Sequence, residues 1–203
     1  MEPLKEISSL ACPLAMENVD TDQLIPARFM KESRSSGYGG FLLHDLRFNA
    51  DGTPRDFILN HEPAQDAQIL VARRNFGAGS SREAAVYALV DYGFRCVIAP
   101  SFGDIFASNA VNNGLLPALV SEQDAEKVLE ALAGNPGQVT VDLTAQTIAF
   151  HGHEVGFEVN PTWKLKLLNG WDDIDLTRDR TPEIERFRRD YVKHYPWLNS
   201  GKE

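Results

Sequence analysis

The chain has 203 residues, of which 43% are hydrophobic and 24% are charged, and its formal net charge at pH 7 is −9. This length suits one well-buried domain, and the acidic balance argues against a nucleic-acid-binding protein, which normally presents a basic face. No apolar stretch reaches the length of a membrane span and the N-terminus lacks a signal-peptide pattern, so the sequence predicts a cytoplasmic protein. The two cysteines, Cys12 and Cys96, are too few for a disulfide framework, an iron–sulfur cluster or a cysteine zinc site.

The first predicted elements are a short strand within residues 4–14 and a polar segment, residues 18–26, that carries Asp20 and Asp22. Residues two apart in an extended chain point the same way, so both carboxylates would then face one site. The alternative is that both are turn residues bonded to their own backbone. The spacing leaves both interpretations open.

Residues 33–53 begin with a stretch rich in glycine and serine that also carries Tyr38, Phe41 and Leu42. Glycines permit rearrangement, and the aromatic and aliphatic side chains offer apolar contact, which indicates a mobile binding loop. A poorly ordered surface loop is the alternative. Residues 54–68 hold two prolines and few periodic apolar positions, a pattern typical of a connection.

The strongest pattern is a strand, a glycine loop and a helix in immediate succession. Residues 69–72 are an apolar run, residues 76–83 read Phe-Gly-Ala-Gly-Ser-Ser-Arg-Glu, and an apolar helical run follows as far as Tyr92. The glycines permit a tight turn that leaves backbone amides uncovered, so the loop and the helix start predict an anion pocket. The loop lacks the Gly-Lys-Ser/Thr of phosphate loops and the third glycine of a dinucleotide fingerprint, which favours a smaller ligand such as a carboxylate.

The polar side chains of this loop suggest its chemistry. Ser80 and Glu83 have the spacing of a capping box, which predicts a helix that begins at Ser81. Arg82 adds a fixed charge and a two-pronged carboxylate donor in the same turn. The alternative is a plain helix cap, but such a cap needs one hydroxyl, whereas this loop carries two and an arginine.

The next segments continue the alternation of helices and strands. Gly93 is expected to end the first helix, and a strand at residues 95–99 then completes a βαβ unit with two parallel strands. Capping patterns at Ser101 and Ser121 predict two further helices on either side of a buried strand at residues 115–120.

After residue 137 the pattern changes to short strands separated by turns, which predicts an antiparallel layer. His151 and His153 flank a glycine in one of these turns, and with no third ligand in the pattern they read as solvated turn residues rather than a metal site. A helix is predicted from Pro161 to Asn169, and the tail from Trp171 is expected to carry a last helix that starts near Thr181.

Ser80 is a weak base on its own, because a serine hydroxyl holds its proton tightly. A helix N-terminus contributes at most about 2 kcal/mol to an anion beside it, which lowers a pKa by only about one and a half units. A Ser-His-Asp triad would supply a base, but no histidine lies in a sequence context tied to Ser80. The sequence therefore predicts half of an active site, with the remainder, including any metal, on a partner. The histidines are His44, His61, His151, His153 and His194.

Four motifs, in the same order, resemble the 3-isopropylmalate dehydratase small subunits of the aconitase superfamily. The likeness covers nearly the whole chain, and the tail from Trp171 resembles the longer bacterial type. The motifs are Asn18-Val19-Asp20-Thr21-Asp22-Gln23, Phe76 to Glu83 together with Tyr92-Gly93-Phe94-Arg95, Ser101-Phe102-Gly103-Asp104-Ile105-Phe106 and Asn113-Gly114-Leu115-Leu116-Pro117.

The resemblance implies an α/β fold, a three-layer β/β/α swivelling domain with a parallel central sheet and a smaller antiparallel layer. The chain would be one such domain, with a core at about residues 1–170 and a helical tail at about 171–203. It would pair with a large subunit that carries a [4Fe–4S] cluster, and would itself bind no metal or cofactor. The pair would interconvert 2-isopropylmalate and 3-isopropylmalate through isopropylmaleate, a hydro-lyase reaction of leucine biosynthesis.

The resemblance also implies roles for single residues. Ser80 would take the proton from substrate carbon, and Ser81 and Arg82 would hold substrate carboxylate, while the cluster iron on the other chain would take the hydroxyl. Tyr38 and Leu42 would lie in the loop that touches the isopropyl group. Residues Asp20 and Asp22 would lie near the subunit junction.

Two positions depart from the family pattern, since many relatives have cysteine in place of Ala78 and histidine in place of Ala84. Other functions remain open beside the one implied. A sister hydro-lyase subunit would act on citraconate, methylmalate or homoaconitate, and a non-catalytic module of the same fold would only bind anions. A standalone serine hydrolase would be active without a partner.

Overall fold

Seven strands form one mixed sheet in the computed structural model, which describes residues 1–195 and 197 and, of Ser36, the backbone alone. The strand order is β4-β3-β2-β1-β5-β6-β7. The first four strands pair in parallel, and the last three are antiparallel and join the others through β1 and β5. The strands are β1 (Glu6–Leu14), β2 (Ile69–Ala72), β3 (Cys96–Ala99), β4 (Leu116–Leu119), β5 (Gly137–Asp142), β6 (Thr147–Phe150) and β7 (His153–Gly156).

The predicted α/β fold with a parallel central sheet is confirmed. The antiparallel strands continue the same hydrogen-bonded sheet, because the first half of β1 pairs with β5 and its second half pairs with β2. This pairing joins segments some 130 residues apart, which local sequence patterns do not report.

Both faces of the parallel strands are covered, which is why β2 and β3 are apolar at every position. Alternate residues of β2 belong to two separate apolar clusters. Leu70 packs with helix α4 (Ala84–Tyr92) and the segment that follows β1, and Val71 packs with helix α6 (Glu122–Leu132) and the antiparallel strands. The remaining α-helices are α1 (Thr21–Leu24), α2 (His44–Arg47), α3 (Glu62–Gln65), α5 (Asp104–Asn112), α7 (Pro161–Asn169), α8 (Asp173–Asp179) and α9 (Thr181–His194).

Several predicted helix ends are confirmed. The Ser121 side chain accepts a hydrogen bond from the Asp124 amide at the start of α6, with a donor–acceptor distance of 3.0 Å. Gly93 follows α4 at φ 126°, and Gly170 follows α7 at φ 71°. The last helix begins at Thr181 as predicted.

The chain divides into two compact units, residues 1–170 and the residues from Trp171 onward. The second unit contains α8, which Asp172 caps in a reciprocal capping box with Asp175, and α9. The single-domain organisation expected from the sequence stays a prediction.

Residues 33–53, predicted as a mobile binding loop or a poorly ordered surface loop, contain short 3₁₀ turns and helix α2. The 3₁₀ turns are Ala27–Lys31, Arg34–Ser36, Tyr38–Phe41 and Ile58–Asn60, the first and last of which flank this stretch. The connection predicted for residues 54–68 also contains α3. Single turns of helix give weak periodicity, so the sequence pattern does not reveal them.

Candidate active site

The serine loop, residues 76–83, crosses the carboxyl edge of the parallel strands, where ligands bind in open α/β sheets. Backbone hydrogen bonds hold it between the chain after β1 and the chain after β3. The Gly77 amide donates to the Val19 carbonyl at 2.7 Å, and the Phe76 amide donates to the Ser101 carbonyl at 3.0 Å. The loop is thus fixed on both sides like a short extra strand.

Two glycines permit this close packing. Gly77 has φ +71°, and a Cβ atom there would lie 2.2 Å from the Phe106 ring. A Cβ at Gly103 would lie 2.5 Å from the Gly77 carbonyl oxygen. The two glycines therefore allow three chain segments to pack closely together, in addition to permitting the turn itself.

The predicted capping box at Ser80 and Glu83 is wrong. Helix α4 begins at Ala84, with no side-chain cap. The Ser80 amide donates instead to Thr21 Oγ1 at 3.0 Å, and the Glu83 carboxylate accepts from Asn113 Nδ2 at 2.9 Å. These partners come from other segments of the chain, so they hold residues 80–83 outside the helix.

The later helix start changes the electrostatics of Ser80. The field of a helix N-terminus falls off within its first turn. Ser80 lies four residues before Ala84, so the helix contributes less to an anion at this hydroxyl than the sequence predicted. Both Ser80 and Ser81 are exposed, which leaves their hydroxyls open to a ligand or a partner.

Arg82 and Asp22 form an ion pair between Nη1 and Oδ1. The Arg82 side chain is 21% exposed and that of Asp22 is 58% exposed. Asp22 thus lies beside the serine loop and orients one nitrogen of the guanidinium. Among the described residues no partner is recorded for the other two guanidinium nitrogens, which remain as donors for a carboxylate.

Asp20 does not share this role. Its carboxylate accepts from the Gln23 amide at 2.7 Å and the Gln23 side chain accepts from the Asp20 amide at 3.1 Å, so Asp20 caps α1 in a capping box. Asp20 is thus bonded to its own backbone segment, which was the alternative given for both residues, whereas Asp22 lies beside the serine loop.

Tyr38 and Leu42 lie in the core. Tyr38 is 6% exposed and its hydroxyl donates to the Glu32 carbonyl at 2.8 Å, while Leu42 is fully buried. Neither side chain offers surface to a ligand in this conformation, and their predicted contact with substrate stays a prediction.

A hydrolytic triad has no support in this geometry. Among the described residues, no histidine is recorded as bonded to the Ser80 hydroxyl. His44 contacts Arg28 and Asp45, and His61 contacts Asp56. Within the described residues, Ser80 thus has no histidine placed to act as its general base.

The cysteines do not form a ligand set for a cluster. Cys12 and Cys96 are fully buried and belong to the apolar clusters on opposite faces of the sheet. Burial raises the pKa of the Cys12 thiol to about 12 and that of Cys96 further, so both stay protonated. Within residues 1–195 and 197, no group of three or more potential ligands could hold a metal ion.

His151 and His153 lie at the turn into β7, which itself begins at His153. Both are exposed, as expected of solvated turn residues. No helix in the described part of the chain is both long enough and apolar enough to span a bilayer. The cytoplasmic location stays a prediction.

Sequence reasoning missed Thr21, Ser101 and Asn113 as parts of this site. Thr21 and Asn113 bond residues 80 and 83, and the Ser101 hydroxyl accepts from the Asn75 amide at 2.7 Å. Ser101 does not cap α5, whose N-cap is Gly103 without a side-chain bond. Thr21 follows β1 and Ser101 follows β3, and this position after a parallel strand is the signal that could have found them, whereas Asn113 directly follows helix α5.

The chain is similar to a protein family, to two named relatives and to a solved structure. Residues 1–123 match the aconitase C-terminal domain family. A 3-isopropylmalate dehydratase small subunit of Rhodospirillum centenum is 46% identical, covering 97% of this chain and 98% of that protein. One of Bacillus licheniformis is 47% identical, covering 98% and 100%. The crystal structure of a 3-isopropylmalate dehydratase from Methanocaldococcus jannaschii superposes with a TM-score of 0.64 at 24% identity, over 89% of this chain and 98% of that one, and supports the fold.

Proposed function

Because the chain belongs to the aconitase C-terminal domain family, among the 3-isopropylmalate dehydratase small subunits, we propose that it provides the proton-transferring half of that enzyme's active site. In this proposal Ser80 Oγ takes the proton from substrate carbon, and Ser81 and Arg82 bind a substrate carboxylate. The reaction converts 2-isopropylmalate and 3-isopropylmalate into each other through isopropylmaleate, in leucine biosynthesis in the cytoplasm.

The observation that carries the proposal is the Ser80-Ser81-Arg82 triplet, with both serines exposed and Arg82 partly exposed, on a hydrogen-bonded loop at the carboxyl edge of the sheet. Asp22 pairs with one guanidinium nitrogen of Arg82, and within the part of the chain that the structure describes the other two have no recorded partner and could bind a carboxylate. A bidentate guanidinium–carboxylate pair gives both charge and orientation, which a diacid substrate needs before a proton can move.

We propose that a large subunit completes the site, and two features of the described residues support this. The described residues supply no base to the Ser80 hydroxyl and no ligand set for a metal. The [4Fe–4S] cluster expected on the large subunit would supply a Lewis acid for the substrate hydroxyl. Asp22, Ser80 and Ser81 are exposed, which suits burial against that subunit.

Tyr38 and Leu42 remain candidates for contact with the isopropyl group. Such contact requires that residues 33–43 leave the positions they occupy against α4, because both side chains are buried there. Because contact with the isopropyl group would distinguish isopropylmalate from related diacids, the test also includes the sister substrates citraconate, methylmalate and homoaconitate.

The test combines the purified chain with a cluster-loaded large subunit. It follows isopropylmaleate formation from the isopropylmalates, citraconate formation from methylmalate and the hydration of homoaconitate. Neither subunit alone should be active. In the complex, Ser80→Ala should lower kcat by about 10²-fold or more, the usual contribution of a general base. The matched control is Ser8→Ala, an exposed serine on β1 in the antiparallel half of the sheet, which should retain full activity.

Three results would contradict the proposal. Full turnover by Ser80→Ala would remove this hydroxyl from the mechanism. Activity of the isolated chain would remove the need for a partner, and a strong preference for another diacid would assign a sister reaction.

A further inference from the structure

Thr21 carries a buried hydroxyl directly behind the serine loop. The residue is 1% exposed, and its Oγ1 accepts the hydrogen bond from the Ser80 amide at 3.0 Å. Its own amide donates to the Ala78 carbonyl at 2.9 Å. A hydroxyl taken out of water costs free energy unless it is bonded, so this buried position indicates a built contact.

The two bonds of Thr21 hold both ends of a three-residue stretch, from Ala78 to Ser80. Between them Gly79 has φ +106°, and a Cβ atom there would lie 3.3 Å from Thr21 Oγ1. Thr21 therefore packs against the middle of the stretch as well as bonding its ends. Without the bond from the Thr21 side chain, the Ser80 backbone would be held only by its chain neighbours. These are the flexible Gly79 on one side and the residues that lead into α4 on the other.

The bond to Thr21 Oγ1 is the one hydrogen bond recorded for Ser80 within the described residues. Thr21 is itself fixed as the first residue of α1, which Asp20 caps. Its position therefore does not depend on the serine loop alone. The orientation of Ser80 is thereby tied to a rigid element that follows a different strand.

We propose that Thr21 is a positioning residue, whose hydroxyl sets the Ser80 backbone so that Ser80 Oγ faces the substrate carbon. The inference rests on the proposed role of Ser80 as the base. Proton transfer depends steeply on geometry, and a misplacement of about 1 Å can cost about 10²-fold in rate. The binding of the substrate carboxylate by Arg82 does not depend on this bond.

The experiment compares Thr21→Val, which keeps the shape and removes the hydroxyl, with Thr21→Ser, which keeps the hydroxyl. The first readout is amide hydrogen exchange in the isolated full chain. Thr21→Val should speed exchange at the Ser80 amide by about tenfold, the loss of a typical hydrogen bond. The Gly77 amide, which is bonded to the Val19 carbonyl, is the internal control and should keep its rate.

The second readout is steady-state kinetics in the complex with the large subunit. Thr21→Val should lower kcat by about 10- to 100-fold while KM changes less than about threefold, because positioning of the base is lost and carboxylate binding is kept. Thr21→Ser should restore both values. A merely structural role would lower the amount of assembled complex, measured by size-exclusion chromatography, without this separation of kcat from KM.

A second pair of variants keeps the test decisive if Thr21→Val does not fold. Thr21→Ala and Thr21→Ser differ by one hydroxyl, so only the former should lose activity and Ser80 amide protection. Unchanged kcat in Thr21→Val or Thr21→Ala, with Ser80→Ala inactive, would overturn the inference and leave the proposed function standing. Full activity of Ser80→Ala would overturn both.

Discussion

At the scale of single residues, the serine loop depends on positions where no side chain can be added. Gly103 is the clearest, since a Cβ atom there would lie 2.5 Å from the carbonyl oxygen and 3.1 Å from the carbonyl carbon of Gly77. These are backbone atoms and cannot rotate away. Gly103 has no positive φ, so a substitution tests steric contact alone.

Gly103→Ala should therefore destabilise the chain and displace the serine loop. We expect a loss of about 2–3 kcal/mol in the free energy of unfolding, the range for overpacking in a rigid site. This corresponds to a fall of roughly 5–10 °C in the melting temperature for a chain of this length. Calorimetry measures the change, and kcat in the complex should fall with it.

The matched control is Gly156→Ala in β7. Its nearest neighbour would be the Gln146 carbonyl oxygen at 3.9 Å, an ordinary contact, and its φ is also not positive. Its melting temperature should stay within about 2 °C of the parent, as for most surface changes. Equal melting temperatures for both variants would show that the serine loop accommodates the added Cβ atom without loss of stability.

At the scale of elements, helix α4 supports the two segments to which we assign a proposed role. The serine loop leads into its N-terminus, and residues 33–43 pack on its second half. The Asp91 carboxylate accepts from the Tyr38 amide at 3.2 Å and pairs with Arg34 Nη2 at 3.2 Å. The Arg34 guanidinium also lies 3.8 Å from the centre of the Tyr87 ring.

Backbone packing adds to these bonds. A Cβ atom at Gly39 would lie 2.6 Å from the Asp91 carbonyl oxygen, so the segment touches the helix directly. From the other side, the buried Arg47 donates to the carbonyls of Gly39 and Leu42. The segment is thus held in place by named contacts, and the Asp91 carboxylate contributes two of them.

Asp91→Ala should loosen residues 33–43 without unfolding the domain. Loss of one partly exposed ion pair and one hydrogen bond removes about 1–2 kcal/mol of local stability. Tryptic cleavage after Arg34 should therefore accelerate roughly 5- to 30-fold, because cleavage follows the population of the open segment.

The control for this change is Glu130→Ala on α6. Glu130 is exposed, and no side-chain hydrogen bond or ion pair is recorded for it among the described residues. Cleavage after Arg34 should keep the parent rate in this variant. If Asp91→Ala is cleaved no faster than Glu130→Ala, the ion pair does not hold the segment.

At the scale of the whole molecule, titratable groups limit stability at both ends of the pH range. Hydrogen bonds hold the pKa of several carboxyls below their usual range, and burial raises the pKa of the thiols. The carboxyls, each with its main hydrogen-bond partner, are Asp45 with Arg28, Asp51 with Thr53, Asp124 with Lys127, Glu126 with Arg73 and Asp172 with Asp175.

The signs of the two effects differ. A carboxyl with a lowered pKa in the folded state stabilises the fold above its unfolded pKa of about 4, and this stability is lost as the pH falls through the folded value. A thiol with a raised pKa stabilises the fold below its unfolded pKa of about 8.5. That stability is lost as the pH rises toward the folded value, which is about 12 for Cys12.

We therefore expect a broad maximum of the unfolding free energy between about pH 5 and 8. It should fall modestly below about pH 4, since the carboxyls are exposed. Above about pH 9 it should fall by up to about 1.4 kcal/mol per pH unit for each buried thiol. Urea titrations at several pH values measure the curve.

The variant that tests the alkaline limb is Cys12→Ala combined with Cys96→Ala. It removes both titrating groups from the core, so its unfolding free energy should fall less steeply above about pH 9 than that of the parent. Parallel alkaline slopes in the two proteins would assign the loss to other groups.

The sequence by itself determined the elements whose signals are local. The apolar runs of β2 and β3, the serine cap of α6 and the glycine after α7 are set by neighbours within four residues, and all were predicted. It also picked out Ser80, Ser81 and Arg82, because two hydroxyls and an arginine at the mouth of a glycine loop exceed what a plain helix cap needs.

Only the tertiary structure decided which distant groups meet. The start of α4 moved to Ala84 because Thr21 and Asn113, 59 and 30 residues away from their partners, bond Ser80 and Glu83. Asp20 and Asp22 read alike in the sequence, but the first caps its own helix and the second pairs with Arg82. Such contacts depend on how the strands order in the sheet, and no pattern of neighbouring residues encodes that order.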